Sequence, residues 1–112
     1  MKRYGMVIGV REEQVKEYKR LHAAVWPEVL KTIRDCNIRN YSIYLRRLDD
    51  GRLYLFSYFE YIGGDYAADM AKMAADPATQ RWWKLCMPIQ APLKDVGPEG
   101  WWAEMEEVFH TE

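Results

Sequence analysis

A chain of 112 residues with 16 basic against 17 acidic side chains carries a formal net charge of −1, which leaves no electrostatic footprint for nucleic acid or an anionic membrane surface. Such a length holds one hydrophobic core, so a single domain over residues 1–112 is expected. The apolar run after Lys2-Arg3 stops at Arg11-Glu12-Glu13, too early for a signal peptide or a membrane span, and a cytoplasmic protein is the expectation.

Residues 3–10 read as a first strand, interrupted by Gly5 and Gly9. From Arg11 to Cys36 the pattern turns helical. At about 100° per residue, Val15, Tyr18, His22, Trp26, Val29 and Ile33 fall within about 80° of one another and form one face. Pro27 cannot donate to the helical ladder and drives Trp26 out of the α region, so two helices should meet at Trp26 with Pro27 opening the second.

Asn40 to Leu48 is rich in Tyr, Ile and Leu and predicts a strand; Asp49-Asp50-Gly51-Arg52 is a hairpin turn, and Leu53 to Tyr61 returns. Tyr41, Ile43 and Leu45 lie on one side of β-type alternation and Tyr44 on the other, while Leu53, Leu55 and Phe59 oppose Tyr54, Phe56 and Tyr58. Both faces are apolar, so both need a cover: helices for one, a second subunit for the other.

Asp65, after Gly63-Gly64, can cap a helix through Tyr66, Met70 and Met73 to Ala75, and Asp76-Pro77 restarts a helix that carries Gln80 to Cys86. Pro92, Gly97, Pro98 and Gly100 make a long loop. Trp101 to Phe109 is expected as a final, solvated edge strand. Strand, helices, hairpin, helices and strand give βαββαβ, a ferredoxin-like α+β sandwich.

Eight Tyr, five Trp and three Phe make up 14% of the chain, more than a core this small can hide, so some should line a pocket or an interface. In Gln80-Arg81-Trp82-Trp83-Lys84, neighbouring side chains on a helix diverge by about 100°, so one indole can anchor in the core while the other faces a cleft. An indole offers a flat apolar plate with one N–H donor, which suits a ligand apolar on one face and polar at its rim, as sugars are. Tyr18 and Tyr41 could bind in the same manner; core packing is the plainer role for each.

His22 is the candidate for chemistry, because imidazole both gives and takes protons near neutrality. A core histidine satisfied by a backbone carbonyl fits its spacing equally. No histidine follows at i+3 or i+4 and the carboxylates form no ligand cluster, so no metal is expected. No phosphate-binding or dinucleotide glycine motif is present, and no cofactor is expected. Cys36 and Cys86 have no partner spacing and read as small core residues.

Five stretches in chain order resemble the L-rhamnose mutarotases: Glu17-Tyr18-Lys19-Arg20-Leu21-His22, Val25-Trp26-Pro27-Glu28, Asn40-Tyr41-Ser42-Ile43-Tyr44-Leu45, Gln80-Arg81-Trp82-Trp83-Lys84 with Met87, and Glu104-Met105-Glu106-Glu107-Val108-Phe109. The resemblance implies a cofactor-free isomerase that interconverts the α and β anomers of L-rhamnose, folded as a ferredoxin-like homodimer of the dimeric α/β-barrel type whose sheets pack together. It implies His22 as proton donor, and Tyr18, Tyr41, Trp82 and Trp83 as sugar contacts. Trp101-Trp102 depart from it, standing where smaller residues are usual. Two other readings use the same residues: a dimeric α/β-barrel monooxygenase acting with haem or on a quinol, and a non-catalytic sugar-binding module.

Overall fold

The computed structural model describes residues 1–97 and 100–112; Pro98 of the expected loop lies outside the described residues. Strand β1 (Lys2–Val10) leads through a 3-10 turn at Glu12–Gln14 into helix α1 (Val15–His22), and α2 follows at Pro27–Asp35. The two helices meet as Pro27 dictates: Trp26 is extended, at φ −60 and ψ 136, and Pro27 occupies the first turn of α2, where its missing N–H costs nothing. Val15, Tyr18, Trp26, Val29 and Ile33 still pack into one cluster across the break.

Strands β2 (Ile38–Arg47) and β3 (Leu53–Tyr61) form the hairpin, with Gly51 at φ 80 in its turn, a left-handed conformation that favours glycine. Helices α3 (Tyr66–Ala75) and α4 (Pro77–Cys86) begin at their aspartates. Asp65 accepts from the Ala68 N–H at 3.0 Å and Asp76 from that of Thr79 at 2.9 Å, each satisfying an N-terminal donor that a helix cannot satisfy itself. Among the described residues no helix is long and apolar enough to cross a membrane.

The antiparallel sheet runs β2-β3-β1, and the edge beyond β1 is shared by two short strands. β4 (Gln90–Ala91) pairs with Gly9 and Val10, and β5 (Ala103–Met105) pairs with Gly5, Met6 and Val7. This is the ferredoxin-like βαββαβ order with its last strand split. The expected strand from Trp101 to Phe109 therefore shrinks to three residues, because β1 offers only the stretch from Gly5 to Val7 to it. Between Ala91 and Ala103 the chain leaves the sheet and returns to a neighbouring position on the same strand. Trp101 and Trp102, expected in the strand, end this excursion instead and pack against the core.

One backbone feature of β2 matters for the site. Pairing with β3 moves from Arg39 opposite Glu60 to Ser42 opposite Tyr58, so β2 carries one extra residue, and Asn40 within that step has φ 52. Because side chains alternate with period two, the insertion turns Tyr41, Ile43 and Leu45 to the face that the helices cover. The Tyr41 ring meets Phe59 there, 5.4 Å between centroids.

Two apolar clusters fill the space between sheet and helices. One joins Ile8, Val10 and Leu55 to Tyr18, Leu21, Val29, Trp82 and Cys86; the other joins Tyr4, Ile38 and Phe59 to Cys36 and Met73. Cys36 and Cys86 are buried free thiols, as small core residues should be. Val7, Tyr44 and Phe56 form a cross-strand row on the opposite face, outside both clusters, and Tyr44 is 65% exposed.

Candidate active site

His22 is the last residue of α1, so its ring projects where the helix stops and the cavity begins. Its Nδ1 lies 2.9 Å from the Tyr18 carbonyl oxygen, one turn back. A carbonyl oxygen can only accept, so Nδ1 carries a proton and the neutral ring holds its lone pair at Nε2. Burial lowers the His22 pKa below its ordinary value, against the opposing pull of the carbonyl, and favours the neutral ring.

Aromatic rings hold this imidazole on two sides. Tyr18 stacks on it at 4.1 Å and an interplanar angle of 22°, and Trp82 meets it edge-on at 5.3 Å. Trp26 braces Trp82 in turn at 5.2 Å. Trp82 is thus the anchored indole of the pair, 6% exposed, and Trp83 is the partly exposed one.

A cavity of about 300 Å³ brings together Tyr18, His22, Tyr41, Trp82 and Trp83, which are drawn from α1, β2 and α4. That volume is at the small end for ligand sites. A larger, mostly apolar cavity of about 520 Å³ adjoins it, shares residues that include His22, Tyr41, Trp82 and Trp83, and is also lined by Ile33, Met70 and Met73. Only the smaller one includes Tyr18 and the polar amide of Gln90.

Gln90, Trp101 and Trp102 also line the smaller cavity, and the spacing of the chain did not single them out. The surplus of aromatic residues was the one signal that pointed to the two tryptophans. Gln90 is a buried polar side chain in the two-residue strand β4, which has no periodicity to read.

Among the described residues no aspartate, glutamate, lysine or arginine lines this cavity. Burial pushes the Cys86 thiol up to about 12 and raises the Tyr18 phenol above its usual value. Among the described residues of the wall His22 is then the group that can exchange a proton around neutral pH, and the others are neutral and mostly aromatic. Such a site suits an uncharged, hydroxyl-bearing ligand.

Fold and site define a ferredoxin-like α+β protein with a histidine at the mouth of an aromatic, uncharged pocket. The sequence model of the L-rhamnose mutarotase family matches residues 3–111, and the chain belongs to that family. The L-rhamnose mutarotases of Oceanobacillus iheyensis and Bacillus subtilis are 31% and 30% identical to it over the whole of both chains. That of Phocaeicola vulgatus is 32% identical over the same span. The crystal structure of an L-rhamnose mutarotase from Formosa agariphila shares the fold across both full chains, with a TM-score of 0.74 at 24% identity.

Proposed function

We propose that residues 1–112 act as one catalytic domain, an isomerase that interconverts the α and β anomers of L-rhamnopyranose without a cofactor, with His22 as the proton-transfer residue. The observation that carries this is the neutral His22 imidazole, its Nδ1 tied to the Tyr18 carbonyl and its Nε2 without a hydrogen-bond partner among the described residues, in a mostly aromatic cavity of about 300 Å³. Family membership supplies the sugar.

Mutarotation breaks the C1–O5 bond. The proton of the anomeric hydroxyl leaves O1 as its O–H electrons form C1=O, the C1–O5 electron pair goes to O5, and O5 takes up a proton. O1 and O5 share C1, so a single nitrogen can serve both. Nε2 takes the proton from O1 and, as imidazolium, gives it to O5. The C1–C2 bond then turns and the same steps run backwards on the other carbonyl face. The net proton count is unchanged, and assistance of this kind is worth roughly 10² to 10⁴ in rate.

Trp82 and Trp83 cover the C–H face of the sugar, and Tyr18 and Tyr41 bind its oxygens. The monooxygenase and the non-catalytic sugar-binding readings are not favoured beside the family match. The uncovered row of Val7, Tyr44 and Phe56 supports a homodimer joined through this sheet face. The near-neutral charge supports a small-molecule enzyme with no nucleic-acid or membrane partner, and the short apolar run before Arg11-Glu12-Glu13 supports a cytoplasmic one. Saturation-transfer NMR across a panel of aldoses tests the activity: exchange of the L-rhamnose anomers is accelerated, and an unchanged exchange rate for every sugar would sink the reading.

A further inference from the structure

Gln90 is 6% exposed, and a buried primary amide has to satisfy both its ends. The Trp101 indole Nε1–H donates to Gln90 Oε1 at 2.6 Å, and Gln90 Nε2 donates to the Tyr18 hydroxyl oxygen at 3.3 Å. Because an indole N–H can only donate, it selects the oxygen end of the amide and turns the NH₂ end toward Tyr18. An amide NH₂ can only donate in turn, so the Tyr18 oxygen is held as its acceptor. The phenol proton finds no acceptor of its own among the described residues and is left to point into the cavity that all three residues line.

On the reading of Tyr18 as a sugar-binding hydroxyl, we infer that Gln90, oriented by Trp101, is a positioning residue that makes Tyr18 a hydrogen-bond donor to an oxygen of the bound sugar. The relay runs one way, Trp101 to Gln90 to Tyr18 to ligand. Its first member comes from the excursion between β4 and β5 and its last from α1, so the segment that returns the chain to the sheet also sets the polarity of the pocket. A donor of fixed polarity matches a ring oxygen best, because that atom has lone pairs and no proton.

A double-mutant cycle on L-rhamnose anomer exchange tests the relay. Gln90→Met keeps the length of the side chain and removes the amide; it is expected to raise KM about tenfold, the loss of roughly one hydrogen bond, with kcat held within about twofold. In a Tyr18→Phe background the same substitution is expected to change KM by less than about twofold, since the hydroxyl it serves is gone. Trp101→Phe, which keeps a ring and removes the N–H, should move KM in the same direction and serves where Gln90→Met fails to fold. An equal loss in both backgrounds overturns the relay, because Gln90 then acts by packing. Full activity of both Gln90→Met and Trp101→Phe overturns it as well. If Tyr18→Phe alone leaves exchange untouched, Tyr18 does not bind the sugar, and that separate result removes the basis of the relay.

Discussion

The imidazole of His22 and the backbone carbonyl of Tyr18 form a 2.9 Å hydrogen bond within the last turn of α1, beneath a 4.1 Å stack of their rings. The bond sets the tautomer and the stack sets the tilt. Both come from a four-residue spacing on one helix, so the reactive nitrogen is aimed by local structure, while the cavity it faces is assembled from distant segments.

A pH dependence follows from the direction of the His22 shift. Burial lowers its pKa below the ordinary 6.5, and the neutral ring starts the reaction. The exchange rate is therefore expected to rise with pH through a pKa below 6.5 and to stay level above it. Stability follows the same sign: the unfolded chain binds a proton that the folded ring resists, so the contribution of His22 is complete above the unfolded pKa and is lost as pH falls toward the folded one. A rate profile that falls with rising pH in this window would show that His22 enters the reaction protonated.

Glutamine at position 22 can hydrogen-bond but cannot carry a proton between O1 and O5. His22→Gln is expected to slow catalysed anomer exchange by roughly 10² to 10⁴, while L-rhamnose continues to quench tryptophan fluorescence. Saturation-transfer NMR beside a fluorescence titration separates the two effects, and an unchanged exchange rate removes His22 from its role.

The two tryptophans of α4 should separate in their effects. Trp82 is 6% exposed and braces His22, so Trp82→Ala is expected to cost about 3–5 kcal/mol of stability in thermal or denaturant unfolding. Trp83 is partly exposed at the cavity wall. Trp83→Ala should raise KM about fivefold, the equivalent of ~1 kcal/mol of lost apolar contact, with kcat little changed.

The uncovered sheet face predicts an assembly. Tyr44→Asp introduces a charge beside Phe56 on that face and, in sedimentation equilibrium, is expected to convert a dimer into a monomer without changing the circular dichroism of the chain. A wild-type protein that sediments as a monomer at every concentration rules the dimer out.

Asn40 holds the extra residue of β2 at φ 52, a conformation that strains a β-branched side chain. Asn40→Val is expected to destabilise the fold by about 1–3 kcal/mol. It should also weaken sugar binding, because Tyr41 reaches the cavity only through that insertion; Asn40→Gly is expected to retain both.

Much of this protein was legible in the order of its residues. The break at Pro27, the caps at Asp65 and Asp76, the hairpin turn at Gly51, the shared face of Tyr18 and His22, and the divergence of Trp82 from Trp83 all follow from contacts within a few residues, where backbone hydrogen bonding and side-chain period leave few choices. The tertiary structure alone decided the rest. It limited the last strand to Ala103–Met105, because the edge of β1 is divided between two segments. It also inserted Asn40 so that Tyr41 faces the helices, and it brought Trp101 to Gln90 and Gln90 to Tyr18, which lie 72 residues apart. A buried amide takes whichever partners the packed chain presents, and no local pattern names partners so far away in sequence.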